Sequence, residues 1–420
     1  MTSRLPRTCR PMSSRHSIRR KTRTERTRPC TTGYDAAMIR VGLVQALIPH
    51  YREPVFKELA SREGIDLTMY ADLGARHGSL HGARSGSGFT VIDAKERYIG
   101  PLLVDPATIR AARGGHDVLV MSWRTRSLLM PTAIRMARRR GAAVVVWGHG
   151  YSKYDTPRRT RMRMRVARDA DAYLTYDPVT AERLVEGGLD SNRVFCAPNA
   201  IDQGPIENQR RWWLDRPDEL VRFQQEHRID PEKTLVFISR IEPDKRLDIL
   251  IEAMKHARAA DPSMTLVVIG DGSAREQSED LARRLGVEDG VRFVGPIYEE
   301  KRLAAWCLSS FCFAYPVAIG LSAMHAFGYG LPVVTSDDIG GHNPEIHAIR
   351  PGHNGLFYKD GRVEDLAAKL LQLSRDRDMQ HRMSQEALGT VTGPDGWTLT
   401  NMVDGFERCI RAVARMRGKD

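Results

Sequence analysis

The chain has 420 residues, 41% of them hydrophobic and 28% charged, which is enough for two domains that each bury a core. Its longest aliphatic run, near Ala142–Trp147, falls far short of the roughly 18 apolar residues a membrane span requires, so a soluble or peripheral protein is expected. The net charge is +12, but residues 1–38 hold nine Arg and one Lys against Glu25 and Asp35, leaving only +4 for the rest, and no nucleic-acid partner is expected.

Residues 1–38 have few large apolar residues and no periodicity, and read as a disordered basic tail. Its Arg- and Ser-rich, acid-poor composition suits an organelle-targeting leader or a tether to an anionic surface. Met38 is an alternative start, because Ile39 opens a strand at once. From there strand and helix alternate, as in a parallel sheet covered on both faces. Strands are expected at 39–46, 65–71, 117–122, 142–148 and 172–176, with a helix at 54–61 and others between most strands. Tyr51 and Arg52 follow the first strand, at the carboxyl end where ligands meet open α/β sheets; Arg52 equally suits a local cap. His149 follows the buried strand at 142–148 between Gly148 and Gly150, which let backbone or ligand come close, and it is the catalytic candidate of this half.

The segment Arg158–Arg168 carries six arginines spread around a helical circumference, with Met162, Met164 and Val166 between them. It reads either as a solvated basic helix or as a dock for anionic lipid headgroups or a phosphorylated ligand. A polar stretch at 206–233, with Arg210, Arg211, Trp212 and Trp213, reads as a linker between domains at 39–205 and 234–390, and 391–420 forms a closing helical segment. The six cysteines, Cys9, Cys30, Cys196, Cys307, Cys312 and Cys409, show no paired spacing and follow no secretory signal. They read as reduced thiols in a cytoplasm, with neither disulfides nor a zinc site.

In the second half, the apolar strand Leu235–Ile238 leads through Ser239–Arg246 into a helix from Leu247. Arg240 and Lys245 are two fixed cations at a strand's carboxyl end, spaced to straddle a diphosphate. Farther on, Val317–Gly320 feeds a short helix from Leu321 that stops near Gly330 before the strand Leu331–Thr335. A glycine-led helix start offers backbone N–H groups and the positive dipole end to a phosphate, here at Gly320, Leu321 and Ser322. His325 lies one turn in, on the face of Leu321 and Ser322.

Together these stretches resemble the donor half of the retaining glycosyltransferases of family 4. The resemblance rests on SRIEPDKRLDILIEA at 239–253, LVVIGDGSARE at 266–276, VRFVGPI at 291–297, GLSAMHAFGYGLPVVTS at 320–336 and GGHNPEI at 340–346. It covers most of residues 39–390 and implies an α/β fold of the GT-B type, two facing Rossmann-like domains with a deep interdomain cleft. It places the diphosphate-holding roles on Arg240 and Lys245 and a cleft-crossing catalytic role on His149. The helix start at 320–322 falls to the donor, and the wall that receives the donor base falls to Phe293–Ile297, with Pro296 and Ile297 at its end. HYREPVFKEL resembles the entry segment of some family members, which makes Tyr51 and Arg52 acceptor candidates. The family's paired glutamates, eight residues apart, are here Val317 and His325. An imidazole at 325 can hold one ribose hydroxyl where a carboxylate holds two.

The resemblance implies transfer of a sugar from a nucleoside diphosphate sugar to a hydroxyl of a glycan or lipid-linked acceptor. Configuration is retained and no metal or other cofactor is required, with fixed donors stabilising the leaving group. The expected setting is the cytoplasm, with peripheral contact at the inner face of the membrane through Arg158–Arg168. Val317 and His325 keep open a non-catalytic protein that binds sugar nucleotides or glycans, and the fold keeps open a nucleotide-sugar epimerase.

Overall fold

The computed structural model describes residues 38–418 apart from 75, 78–79, 82–87, 96, 101, 125 and 152–155, so all of the expected basic tail except Met38 lies outside the described residues. Seven parallel strands form a first sheet: β1 (Ile39–Val44), β2 (Ile65–Ala71), β3 (Thr90–Asp93), β4 (Val118–Ser122), β5 (Ala143–Trp147), β6 (Ala172–Thr175) and β7 (Val194–Cys196). Their order is β7-β6-β5-β4-β1-β2-β3. The helices between them are α1 (Glu53–Ser61), α2 (Pro106–Arg113), α3 (Met130–Arg139), α4 (Pro157–Ala167) and α5 (Pro178–Glu186). β5 is buried at every residue, as a strand covered on both faces must be.

The second sheet has six parallel strands: β8 (Thr234–Ile238), β9 (Thr265–Ile269), β10 (Val291–Gly295), β11 (Cys312–Ala314), β12 (Val333–Ser336) and β13 (Gly355–Tyr358), in the order β10-β9-β8-β11-β12-β13. α6 (Gly204–Leu214), α7 (Pro217–Glu226), α8 (Leu247–Ala260), α9 (Arg275–Leu285), α10 (Glu300–Leu308), α11 (Ser322–Gly328), α12 (Val363–Arg375) and α13 (Arg377–Thr392) belong to this half. Each sheet reverses direction of strand addition beside its first strand, between β1 and β4 and between β8 and β11. This is the topological switch point, where the loops leaving neighbouring strands diverge and open a crevice. The architecture is two Rossmann-like α/β units, as the sequence leads one to expect.

Residues 206–233, expected as a linker, are instead mostly the helices α6 and α7, packed on the second sheet. Their polar composition hides an apolar face. Ile206, Trp213 and Ile229 join the second core, Trp213 Nε1 donates to the Lys301 carbonyl at 2.8 Å, and Phe223 meets Trp306 with ring centroids 5.1 Å apart. The chain crosses between domains near 199–203, because Ala200 packs in the first core and Ile201 against the second.

α14 (Leu399–Met416) returns to the first domain and completes its core with Met402, Val403, Phe406, Cys409, Ile410 and Val413. The Phe406 ring meets Trp147 at the end of β5, centroids 4.7 Å apart. The four described cysteines, Cys196, Cys307, Cys312 and Cys409, are free thiols. No helix among the described residues is long and apolar enough to cross a membrane. Phe406→Ala removes a fully buried ring and is expected to cost about 3–5 kcal/mol of first-domain stability. Calorimetry on the two proteins checks this, and an unchanged first-domain midpoint would mean that α14 is dispensable to that core.

Candidate active site

At the second sheet's switch point, the loop after β8 is held open by two glycines of the β9–α9 turn. Gly270 has φ +147°, and a Cβ there would lie 1.8 Å from the Ser239 carbonyl oxygen; at Gly272 it would lie 2.3 Å from that of Ile241. Only glycine lets the two turns touch, and Ile241 N–H then donates to the Asp271 carbonyl at 2.9 Å. Ser239 Oγ and the Tyr315 hydroxyl, 2.9 Å apart, tie the ends of β8 and β11 together. Arg240 stands exposed in this loop. Lys245 is largely covered and its Nζ donates to Asp244 Oδ2 at 2.8 Å, while the Glu242 carboxylate accepts from Ser273 Oγ. Arg246 takes the left-handed conformation (φ 50°) that turns the chain into α8.

The loop 317–321, after β11, is fastened from below by the segment 342–343. Ile319 N–H donates to His342 Nδ1 at 3.0 Å, so the ring proton sits on Nε2 and faces Ser336 Oγ at 2.9 Å. Asn343 N–H donates to the Ile319 carbonyl and its Nδ2 to that of Ala318, itself left-handed at φ 55°. Gly320 is again a close approach, since a Cβ would sit 3.0 Å from Asn343 Nδ2. α11 then starts at Ser322 with Leu321 as its N-cap and no side-chain cap.

His325 does not turn to the helix start. Its Nε2 lies 2.9 Å from Glu300 Oε1 on α10, and the same oxygen accepts the Tyr329 hydroxyl at 2.5 Å. Burial pushes the Glu300 carboxyl up, but the hydrogen bond and charge of His325 and the bond from Tyr329 outweigh it, and the pKa ends below the usual value. Glu300 is a residue that sequence reading missed, since nothing in its own neighbourhood marks it. Pro296 and Ile297 lie between β10 and α10, Pro296 exposed and Ile297 half-buried.

Across from these loops, an interdomain cleft of about 1720 Å³ contains His149, Val317, Asp244 and the 338–347 segment. Two glycines force the His149 turn outward. A Cβ on Gly148 would meet Trp123 Cβ at 2.9 Å, and Gly150, at φ +62°, would meet Thr180 at 2.9 Å. The imidazole is exposed to the cleft yet enclosed by its walls, and this enclosure, with the nearby Arg163 and Arg52 guanidiniums, lowers its pKa to about 4. An exposed imidazole at its ordinary value is already mostly neutral at pH 7, so the neutral form holds whatever weight the enclosure receives.

Tyr51 and Arg52 do not line this cleft. Arg52 is buried: its Nη1 donates to Met402 Sδ at 3.1 Å and its Cζ lies 5.5, 5.8 and 5.7 Å from the Tyr51, Trp147 and Tyr176 rings. The guanidinium expected to meet an acceptor is thus turned into the first domain and away from the cleft lining. The guanidinium is an internal brace between α14 and the aromatic end of β5. α4 divides its arginines: Arg161 and Arg163 line the cleft, whereas Arg158, Arg159, Arg165 and Arg168 are exposed and Met162 shows 57% of its surface. Arg124 and Arg126 after β4 and Arg183 on α5 join the same wall.

Where the chain crosses, Asn199 Nδ2 of the first domain donates to Glu345 Oε1 of the second, and both residues are buried. Glu345 Oε2 and Asn199 Oδ1 have no partner. A proton on Glu345 would give that pair its second hydrogen bond, and burial raises the Glu345 pKa to about 7.

Residues 220–389 match the family described as glycosyl transferases group 1. The chain is 28% identical over 240 residues to the D-inositol 3-phosphate glycosyltransferase of Nocardia farcinica, which is 54% of this chain and 50% of that relative. Over 206 residues it is 28% identical to the GDP-mannose-dependent alpha-(1-6)-phosphatidylinositol monomannoside mannosyltransferase of Mycobacterium tuberculosis, 46% of this chain and 52% of the relative. It thus spans about half the length of the curated relatives it matches. Among solved structures, HepE of Anabaena in complex with UDP superposes with a TM-score of 0.67 at 16% identity, covering 89% of this chain and all of HepE. A glycosyltransferase from Rickettsia africae gives 0.65 at 13%, covering 90% of this chain and 98% of its own. The fold is GT-B.

Glu345 provides a test of the interdomain pair. An unfolded carboxyl loses its proton near pH 4.3 and the folded one near 7, so between these values the folded state binds more protons and stability falls as pH rises. Thermal midpoints should therefore drop from about pH 5 to about pH 8, and Glu345→Gln should flatten the drop. A full slope retained in that variant would remove Glu345 as its source.

Proposed function

We propose that this protein transfers a glycosyl group from a nucleoside diphosphate sugar to a hydroxyl of a glycan or lipid-linked acceptor, retaining anomeric configuration and using no metal. One observation carries the reading: the Arg240–Lys245 turn and the 317–322 loop leave adjacent strands of one switch point, and the cleft beside them has His149 on its opposite wall. The diphosphate lies between Arg240, as a planar fork, and Lys245, which exchanges Asp244 for phosphate oxygens. The amides at Gly320, Leu321 and Ser322 add the dipole of α11. These fixed charges stabilise the leaving group as the bond to the sugar breaks, the work a metal would otherwise do.

Neutral His149 accepts or donates a hydrogen bond to the donor sugar, and the acceptor attacks on the face the diphosphate leaves. Val317 supplies no polar contact to that sugar, so orientation falls to His149 and the loop amides. For the ribose, the geometry supports a carboxylate brought from α10: Glu300, pinned by His325 and Tyr329, offers the double acceptor that position 325 itself lacks. Pro296 and Ile297 stand just before it, suited to receive the base. The two nucleotides to try first are those in the names of similar proteins, uridine and guanosine.

The test is a panel of UDP- and GDP-linked sugars, scored for thermal stabilisation and for release of nucleoside diphosphate. Stabilisation with release is expected for one donor, and stabilisation without release under any acceptor would replace the reading with that of a binding protein. Arg240→Ala and Lys245→Ala should each lower kcat about 10²-fold or more; wild-type rates in both would sink their assignment. Glu300→Ala should raise the donor KM about 10-fold while kcat changes little, and an unchanged KM would return the ribose to other residues.

A further inference from the structure

We infer that the ring of Tyr298 stacks on the nucleobase of the donor; the inference rests on the transferase reading above. Tyr298 is 92% exposed, the most exposed large apolar side chain among the described residues. Its backbone is nevertheless anchored on both sides. Ile297 before it packs against the second core, and Glu300 after it opens α10 and is bonded to His325 and Tyr329. The segment 296–299 is therefore a short fixed bridge that presents one aromatic ring to solvent.

The donor is linear, sugar then diphosphate then nucleoside, and the switch point sets its direction. The six strands of the second sheet are parallel, so the loops leaving their carboxyl ends share one edge. The diphosphate takes the loops after β8 and β11. On the β12 side of that pair, the 338–343 loop lines the interdomain cleft together with Val317, with His149 on the opposite wall, and the sugar lies there. The nucleoside then runs the other way, over the ends of β9 and β10. The end of β10 is two strand spacings from β8, roughly 10 Å, a span that ribose and base together can cover.

Along that path the floor is backbone. The turn after β9 is tied to both neighbours, since Ile241 N–H donates to the Asp271 carbonyl at 2.9 Å and Gly270 N–H to the Gly295 carbonyl at 3.0 Å. Gly270, Gly272 and Gly295 add no side chain to it. A flat base can rest one face on such a floor, and its other face is left to solvent unless something covers it. Tyr298 stands at the far end, where its ring can fold over a base lying there. A stiff ring with two side-chain torsions loses little freedom in doing so. Every base has a π-face, so the contact serves purine and pyrimidine alike.

Equilibrium binding on the full chain, without turnover, tests this. UDP, GDP, ADP, TDP and inorganic pyrophosphate are titrated by calorimetry into wild type, Tyr298→Ala and Tyr298→Phe. The side chain is exposed, so neither substitution touches a core. Tyr298→Ala should weaken the nucleotide that wild type binds by about 10-fold and leave pyrophosphate unchanged. Tyr298→Phe should keep wild-type affinity, because the ring and not the hydroxyl makes the contact. Unchanged nucleotide affinity in Tyr298→Ala overturns the inference and leaves the transferase reading standing. An equal loss for pyrophosphate would put Tyr298 on the phosphates, and an equal loss in Tyr298→Phe would make the contact a hydrogen bond; either overturns stacking. A wild type that binds none of the four nucleotides fails the transferase reading, and the inference falls with it.

Discussion

The first domain is not complete until the last helix of the chain returns to it. β5 ends in Trp147, which needs the Phe406 ring on one side and Tyr176 and Phe56 on others, and only α14 can bring Phe406 there. The chain therefore crosses between the domains twice, once near 199–203 and once after α13, and the cleft is bounded by a double connection. Arg52 is drawn inward by the same arrangement, because its guanidinium sits among these rings. What a sequence reader takes for a ligand-facing cation becomes the brace that aligns α14 with the strand carrying His149.

The second domain solves a different problem, that of bringing polar loops close without leaving buried backbone groups unpaired. Gly270, Gly272 and Gly320 each remove a Cβ that would collide with a neighbouring loop, and the backbone bonds at Ile241, Ile319 and Asn343 fill the space. The result is a rigid platform at the switch point. His342, held at both ring nitrogens, belongs to this platform and is not a proton donor to a ligand. Arg240 stands exposed beside this platform and Lys245 is held to it through Asp244.

Much of this was legible in the chain. The alternation of apolar strands and amphipathic helices from Ile39 onward specified two parallel sheets, because strands buried on both faces leave unbroken apolar runs. The glycine-led turns at 148–150 and 320 could be placed because a close approach demands glycine. Three things could not be read. β3 is a short strand at the sheet edge with only partial burial, so its pattern is weak. The helices α6 and α7 hide their apolar face under a polar composition, and only packing on the second sheet distinguishes them from a linker. Glu300 meets His325 across 25 residues, and periodicity within one element does not report such a contact.

The same distinction explains why charge in this protein is more informative by position than by sum. The net charge of +12 resides mainly before Met38, where it says nothing about the cleft. Around the cleft, Arg124, Arg126, Arg161, Arg163 and Arg183 line the first-domain side and Asp244 and Asp338 the second, while Arg240 and Lys245 follow β8 at the second switch point. Charges gathered in one concave site set a local field that the sum over the chain does not report.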